Sequence, residues 1–538
     1  MSFIMKRALL VGCFVIVVAV TCHFCFSWMG FTPTDEGFTL AHSRRILDGQ
    51  VPHRDFIIIR PFFSPLIHVP EVWLGGASTL WLSRFVVWFQ FACLAAVWTI
   101  IAERLTNRAL SLSAAFFCGL ICFAATVHTK HLTAWHTIDG LFFLFVGLAL
   151  CIQSINSAKL AGYFLLGLAP LCKQSFVFAV PGVLLLLRDW RSIKFWVAGV
   201  LPGFLYLAYV LSTGGIFDAI TQLTSHSEFL STGILPYCQP RVLLPAGIGF
   251  GAAHLLSHAT ARGIRQWSAL IVLYVTPFIG TAVSLGLGIM ISSAFPLFGL
   301  CLGMAAYWTV FLKGSPGPKR ILSLALLAAW MASISGGYNS PALGAGALLV
   351  AVVVTILDQG PGWQRRLIGY SLPGFCVLIV AGFVVGRIQH IYRDQSAAHL
   401  NYPIGDVMPG GDGIYTNANT FAFLSDLRRA IELVEQSHRK YAIIPDVAAY
   451  WAQSPQANPF PAVWPHGDEL KTAPLLNRYL RAIDAGRIDT TVIVEKVAAD
   501  NLANGFAPLP ESSYFEVVLY VRRNLKKIHE TEYFALYQ

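Results

Sequence analysis

The sequence ALLVGCFVIVVAVTCHFCFSWMG, residues 8–30, decides the fold, and FTPTDEGF, residues 31–38, follows it directly. The first stretch has no charged side chain and is long enough to cross a bilayer as a helix. Two basic residues precede it and no small-residue cleavage site ends it, so it is predicted to be a retained signal anchor. The adjacent acids Asp35 and Glu36 then lie where the chain leaves the membrane. That position is costly for an acid unless it faces water or a polar substrate.

Similar apolar segments recur along most of the chain. Of the 538 residues, 56% are hydrophobic and 12% are charged, whereas a soluble protein has about 25% charged residues. This composition predicts a polytopic α-helical membrane protein with about thirteen transmembrane helices. After the first span, the predicted spans lie near residues 80–102, 109–127, 133–153, 160–172, 175–188, 193–212, 241–259, 267–290, 291–312, 320–336, 341–357 and 367–386.

The distribution of basic residues predicts the topology. The net charge is +10, and most Lys and Arg residues of the membrane part lie in short connections on one side of the predicted membrane. Because such residues favour the cytoplasmic side, we expect a cytoplasmic N-terminus. The chain after about residue 388 should then be extracytoplasmic. Membrane anchoring accounts for the positive charge, and nucleic acid is not predicted as a partner.

The composition changes at residue 390, so we predict two domains. Residues 1–389 should form the transmembrane domain, with an interfacial loop at 31–79, and residues 390–538 a soluble extracytoplasmic α/β domain. Within the second domain, the patterns predict a helix with a possible asparagine cap at Asn417 or Asn419, and three strands. The helix covers 421–436 and the strands cover 441–444, 491–494 and 515–521.

The interfacial loop carries the first candidate site residues. The pattern after Asp35 predicts an amphipathic helix that ends near Gly49, with Arg44 and Arg45 off its apolar face, and a second interfacial stretch covers 61–68. Two interfacial helices that flank an acidic segment can form the floor of a cavity open to both lipid and water. Asp35 in that cavity could serve as a general base or as a metal ligand, or it could only cap the helix.

Other polar residues lie on the predicted outer face, each with two interpretations. His128 and His131 could bind a metal ion or, with Lys130, a lipid phosphate. Lys173 could bind a phosphate or extend harmlessly to the interface. Farther along the chain, Tyr338 and Asn339 could line a polar cavity or belong to a tight turn, and the aromatic loop at 464–466 could cover the cavity or pack within its own domain. The cysteines show neither metal-binding spacing nor a disulfide framework.

The chain resembles the GT-C superfamily of polytopic glycosyltransferases, and within it the ArnT-like and protein O-mannosyltransferase-like branch of the glycosyltransferase family 39/83 type. The predicted topology supports the resemblance, together with three stretches. They are Asp35-Glu36-Gly37, the segment from Gly49-Gln-Val-Pro-His-Arg-Asp-Phe56 to Arg60-Pro-Phe-Phe63, and Leu171-Cys-Lys-Gln-Ser-Phe176.

This resemblance implies a protein of the bacterial inner membrane that transfers a sugar, a hexose or a pentose, from a polyprenyl-phosphate carrier. The acceptor would be a lipid, glycan or protein on the outer face of that membrane. It implies that Asp35, Glu36 and Asp55 are catalytic and that Lys173 helps to hold the carrier phosphate. The wider set of predicted carrier-phosphate and substrate-binding residues is His53, Arg60, Lys130, His131, Lys173, Gln174, Tyr338 and Asn339.

Three other classes of function stay open at this stage, one of which is a non-catalytic assembly protein with the outer domain as its binding part. A transporter or flippase for a lipid-linked substrate should have internal repeats and polar broken helices near the midplane, and the sequence shows neither clearly. A ligase that joins whole glycans would share much of the same architecture. No cofactor is firmly predicted, although a divalent metal ion would suit acids placed close to a phosphate.

Overall fold

The computed structural model describes residues 3–128, 131–226, 233–258, 295–314, 316–334 and 341–538. A helical part extends to Gln389, and a smaller part with both helices and strands follows it. The predicted span 267–290 lies outside the described residues, as do the site candidates Lys130, Tyr338 and Asn339.

The helical part begins with a long apolar helix and then passes through short helices before the next long one. Its helices, in chain order over the described residues, are α1 (Phe3–Phe26), α2 (Phe38–Leu47), α3 (Phe63–Ile67), α4 (Val69–Gly75), α5 (Thr79–Thr106), α6 (Leu112–Val127), α7 (His136–Cys151), α8 (Asn156–Cys172), α9 (Ala179–Leu187), α10 (Ile193–Ser212), α11 (Ile216–Leu223), α12 (Pro240–His258), α13 (Phe295–Phe311), α14 (Pro316–Ser333), α15 (Ala345–Gln359) and α16 (Gly362–Gln389).

The described helices have the length and composition of an integral membrane protein. Four helical stretches within the described ranges are long and apolar enough to cross a membrane, and further apolar helices are shorter. The predicted number of about thirteen spans is not confirmed by these helices. The four stretches are Leu9–Phe26, Phe63–Thr106, Ile193–Ser212 and Gly362–Gln389.

Large apolar side chains cover the outer surface of several of these helices. In α1, Ile16 and Phe24 are exposed, whereas Phe14 and Phe26 on the other side pack into the core. In α10, Phe204 is exposed as well. A contiguous apolar surface of this kind would be unstable in water and suits contact with lipid chains.

The C-terminal α/β region, residues 390–538, contains a four-stranded mixed sheet in the order β3-β4-β6-β5. β3 and β4 are parallel, and β6 pairs antiparallel with both β4 and β5. Its elements are β1 (Tyr402–Pro403), β2 (Tyr415–Thr416), α17 (Ala418–Glu435), β3 (Lys440–Ile444), α18 (Ala473–Gly486), β4 (Thr490–Glu495), α19 (Glu516–Asn524), β5 (Lys527–Glu530) and β6 (Phe534–Tyr537).

Most of the predicted elements of this region agree with the structure, and one is wrong. The predicted strands at 441–444 and 491–494 coincide with β3 and β4, and the Asn417 side chain caps α17 by accepting from the backbone N–H groups of residues 419 and 420. The predicted strand 515–521 is instead the helix α19. Val517, Val518 and Val521 form its buried face, and their spacing is that of a helix despite their β-branched side chains.

The helix after Asp35 forms as predicted, but its surroundings differ from the prediction. α2 ends before Gly49, which has a φ of +82°. Arg44 pairs with Asp48 at the surface, whereas Arg45, expected on the polar face, is buried. The Arg45 guanidinium donates to backbone carbonyls of the C-terminal α/β region, at 2.9 Å from residue 458 and 3.1 Å from residue 461. The helix therefore lies under that region and not simply at the membrane surface.

A buried ion pair fixes the point where α1 ends. Arg84 in α5 donates from Nε and Nη2 to the two carboxylate oxygens of Glu36, each at 2.7 Å, and both side chains are 2% exposed. The same guanidinium donates to the backbone carbonyls of Ser27 at 2.7 Å and Gly30 at 2.6 Å. Burial raises the pKa of Glu36, and the Arg84 charge opposes that shift. These bonds hold the end of α1 against α5.

A second buried network holds the short helices of the loop. The His68 ring lies 2.5 Å from a Glu71 oxygen through Nδ1 and 3.1 Å from an Asp139 oxygen through Nε2. Ser64 and Gln90 also donate to the Asp139 carboxylate, at 2.5 and 2.7 Å. This cluster connects α3 and α4 to α5 and α7, so the loop has two polar anchors within the helical part.

Glu36→Ala should destabilise the protein strongly, because it leaves the Arg84 guanidinium buried without its charged partner. We expect a loss of about 3–5 kcal/mol in the free energy of unfolding, measured as a lower midpoint of thermal unfolding in detergent. Glu432→Ala is the matched control, since Glu432 pairs with Arg428 where both side chains are more than half exposed. A similar fall in both variants would contradict the structural role of Glu36.

Candidate functional site

A polar cavity of about 280 Å³ lies between the loop after α1 and the C-terminal α/β region. Acids, bases and aromatic rings line it together, which is typical of a site for a polar ligand. Its charged and aromatic lining residues include Asp35, Arg60, His131, Trp135, Tyr392, Arg393, Asp446, Trp464, His466, Asp468, Glu469, Asp500 and Tyr514.

Asp35 is held in this cavity through one of its two carboxylate oxygens. The Tyr392 hydroxyl donates to Oδ2 at 2.8 Å, and Nη1 of Arg393 lies 3.3 Å from the same atom. Arg393 also donates to the hydroxyl of Thr34, the residue before Asp35. Within the described part of the chain, no hydrogen bond reaches Asp35 Oδ1. The carboxylate is thus oriented through Oδ2, while Oδ1 has no hydrogen-bond partner among the described residues.

Cationic groups and a histidine ring line the cavity together with Asp35. Arg60 donates to Glu469 at 2.8 Å, and its guanidinium lies 5.6 Å from the ring centre of Phe38. The His131 ring stacks on Tyr392 with 5.0 Å between ring centres. Together with Arg393, these side chains can supply positive charge and donors to an anion.

Two acids of the C-terminal α/β region lie at the carboxyl ends of its two parallel strands, and one of them, Asp446, lines the cavity. Asp446 follows β3, and Glu495 ends β4, so the topology brings both acids to one edge of the sheet. Trp464 donates from Nε1 to Asp446 Oδ1 at 2.6 Å. A carboxylate oxygen of Glu495 accepts from the Asp446 backbone N–H at 3.0 Å. Burial raises the pKa of Asp446 to about 7 and raises the pKa of Glu495 well above its usual range.

The aromatic loop at 464–466 contributes two rings to the cavity wall and also packs against its own region. Trp464 and His466 both line it, and the His466 ring stacks on Tyr514 with ring centres 4.9 Å apart. The Tyr514 hydroxyl donates to Asp468 at 3.1 Å. These rings give the cavity flat apolar surfaces next to its acids.

Three of the predicted site residues line the cavity, namely Asp35, Arg60 and His131. Glu36 does not, because its carboxylate is bound to Arg84 in the interior. Asp55 lies at the surface with its side chain 34% exposed, where it pairs with Arg54 and accepts from the Val51 backbone N–H. The structure therefore gives both acids structural contacts outside the cavity, and a catalytic part for either of them stays a prediction.

The remaining described candidates lie beneath or beside the loop. The buried His53 ring contacts the side chains of Gln222 and Tyr206 at 2.9 and 2.6 Å. Lys173 is also buried and donates to the Thr137 hydroxyl at 2.9 Å. Gln174 donates to the backbone carbonyl next to Arg60, that of residue 59, at 2.8 Å. Gln174 therefore supports the segment that presents Arg60, and none of the three lines the cavity.

The structure adds site residues that the sequence did not single out. Tyr392 and Arg393 lie three and four residues after the end of α16, and Asp446 follows a strand by two residues. Because Asp446 comes shortly after a buried strand, the sequence pattern could have identified it as a site residue. Among the described residues, no group of three or more His, Cys, Asp or Glu side chains could hold a metal ion. The divalent metal ion that the sequence left open therefore gains no support from this part of the chain.

The similarity of this chain to known proteins is structural. No family model matches the chain, and no curated protein matches it. Among solved structures, the chain is similar to the crystal structure of ArnT from Cupriavidus metallidurans bound to undecaprenyl phosphate. The two share 14% identity with a TM-score of 0.46, and 97% of each chain is covered. A similarity at this level assigns no activity to this protein.

Asp446 should contribute stability that is present in acid and is lost as the pH rises. Burial raises the pKa of this carboxyl to about 7 in the folded state, whereas an aspartate in the unfolded chain loses its proton at about pH 4. At this position the folded state therefore binds more protons between these values, and the contribution is greatest at the acid end. Asp446→Asn keeps an acceptor for Trp464 without a charge and should remove this contribution, so the midpoint of thermal unfolding of the wild type should fall relative to that of the variant as the pH rises.

The matched control for Asp446 is Asp406→Asn, an exposed acid of the same region. It should keep the pH dependence of the wild type. An Asp446→Asn profile as steep as that of the wild type would contradict a protonated Asp446 in the folded state.

Proposed function

We propose that this protein is a membrane glycosyltransferase that moves a sugar from a polyprenyl-phosphate carrier to a lipid, glycan or protein acceptor. The observation that supports the proposal is the position of Asp35 and its hydrogen bonding. Its carboxylate lines a polar cavity beside the first membrane helix, is oriented through Oδ2, and has no hydrogen bond to Oδ1 within the described residues. The resemblance of the Asp35-Glu36-Gly37 stretch to the GT-C superfamily supports the same assignment.

The donor phosphate would bind on the cationic side of the cavity. Arg60 and Arg393 are planar donors that suit phosphate oxygens, and both already line the cavity. Lys130 precedes His131 in the sequence and is a further candidate for this role. Lys173 donates to Thr137 below the loop, so its proposed contribution to carrier binding would be indirect.

The sugar would bind between the aromatic rings and the acids. Trp135, Trp464 and Tyr514 offer faces on which the apolar side of a sugar ring can pack, and nearby carboxylates accept hydroxyl hydrogen bonds. The cavity of about 280 Å³ is slightly below the usual range of about 300–1,000 Å³ for small-molecule pockets. This size favours a single sugar over the preassembled glycan that a ligase would transfer.

The proposed reaction is one displacement with Asp35 as the general base. The acceptor hydroxyl gives its proton to Asp35 Oδ1 while its oxygen bonds to the anomeric carbon. The bond from that carbon to the phosphate oxygen breaks, and its electron pair leaves with the carrier phosphate. Arg60 and Arg393 would stabilise the charge that develops there. A single displacement inverts the anomeric configuration, which NMR of the product would show.

The transporter hypothesis predicts a different role for the same residues. A flippase would need Asp35 and the arginines only to bind the headgroup, and the sugar would stay attached to its carrier. Loss of the sugar from the carrier therefore separates the two classes of function directly.

Asp35→Asn should abolish consumption of the donor without loss of folded protein. Loss of a general base lowers the rate by about 100- to 10,000-fold. The measurement uses membrane vesicles supplied with a panel of radiolabelled polyprenyl-phosphate sugars, and it follows the label that leaves the carrier. Asp48→Asn is the matched control, because Asp48 belongs to the same loop and pairs with Arg44 at the surface. Wild-type consumption by Asp35→Asn would contradict the proposed role.

Tyr392→Phe tests how Asp35 is oriented. The substitution keeps the ring against His131 but removes the hydroxyl that donates to Oδ2. Loss of one hydrogen bond should lower the turnover rate by about two- to tenfold, with little change in KM, because Tyr392 acts through Asp35. Tyr370→Phe, at an exposed position of α16, should leave the rate unchanged. An unchanged turnover rate for Tyr392→Phe would contradict the positioning role.

A further inference from the structure

A second, larger cavity lies in the helical part, at the end away from Asp35. It measures about 510 Å³ and forms a groove between the start of α1, the end of α5 and the start of α6. α5 has 28 residues and is therefore about 42 Å long. Its first residue contacts the C-terminal α/β region, so its last turn lies near the opposite membrane face. This face is the one that the basic residues predict to be cytoplasmic.

The interior of this groove is apolar and borders the lipid-facing surface. Val11 and Phe14 of α1, Ile100 of α5 and Phe116 of α6 line it. Phe116 is 39% exposed, and Leu9 beside the groove is 57% exposed. A cleft between helices that opens onto such a surface can be reached by a lipid moving within its own leaflet.

The rim of the groove is positively charged. Three arginines and one glutamate lie at the rim and give it a net charge of +2. They are Arg7, Arg104, Arg108 and Glu103. Glu103 is already bound, since it forms an ion pair with Arg7 and accepts from the Leu110 backbone N–H at 2.8 Å. Arg108 donates to a backbone carbonyl of α15. Arg104 is exposed, and within the described part of the chain its side chain makes no hydrogen bond and no ion pair.

We propose that this groove binds one anionic diacyl phospholipid. Its phosphate would lie between Arg104 and Arg108, and its acyl chains would pack along Phe14 and Phe116. Charge complementarity identifies the occupant, because a zwitterionic lipid would bring its own cation to a rim that already carries excess positive charge. The site is distinct from the Asp35 cavity and does not depend on the proposed transferase activity.

The test is native mass spectrometry of the full-length protein in detergent, titrated with phosphatidylglycerol or with phosphatidylcholine. The wild type should bind phosphatidylglycerol more tightly. Arg104→Gln should weaken phosphatidylglycerol binding about fivefold, because one basic residue near the headgroup contributes about that factor. The Arg104→Gln and Arg108→Gln double variant should lose about 25-fold. Ala115→Leu, which fills the groove without a change of charge, should weaken binding of both lipids.

Arg366→Gln is the matched control, since Arg366 is an exposed arginine at the start of α16, outside this groove. It should leave the affinity for phosphatidylglycerol unchanged. Equal binding of the two lipids by the wild type would overturn the proposal, and so would an equal loss in Arg366→Gln and Arg104→Gln. The readout is lipid affinity, so loss of transferase activity does not enter the result.

Discussion

The rest of the structure depends on the buried ion pair between Glu36 and Arg84. Neither group could stay charged in the interior without the other, so the pair requires the end of α1 to lie against α5. This contact also fixes the positions of the residues on either side of Glu36. Asp35 lines the cavity, whereas Gly37 adopts a φ of +76° at a position where a Cβ atom would lie 2.3 Å from the backbone of Ala449. Two adjacent acids therefore have different roles: one stabilises the fold and the other faces the site.

The cavity is shared between the helical part and the C-terminal α/β region. Asp35 and Arg60 come from the first loop, whereas Asp446 and Trp464 come from the carboxyl end of the sheet. Arg45, buried beneath the loop around residue 460, holds the two walls together. The C-terminal α/β region therefore supplies part of the wall of the cavity in which the proposed chemistry of Asp35 would occur. Substitutions in either part should affect the same reaction.

Local patterns in the sequence predicted the elements well and the long-range contacts poorly. Helix α2, strands β3 and β4 and the cap at Asn417 follow from spacing and turn chemistry within a few residues. The partners of Asp35 lie more than 350 residues away in the chain, and a local sequence pattern does not predict contacts over such a separation. The same holds for Arg45. Its charge predicted a solvent-exposed side chain, but the side chain is buried and donates hydrogen bonds to backbone carbonyls that are distant in the sequence. The helix at 516–524 was predicted as a strand because valines favour strands on average.

The most direct test of the account is cryo-electron microscopy of the full-length protein in lipid nanodiscs with a polyprenyl-phosphate sugar, using Asp35→Asn to prevent turnover. The account predicts density for the phosphate between Arg60 and Arg393, with the sugar against Trp464 and its anomeric carbon near residue 35. Donor density at another site, with this cavity empty, would contradict the central claim that lipid-linked donor and acceptor meet at Asp35.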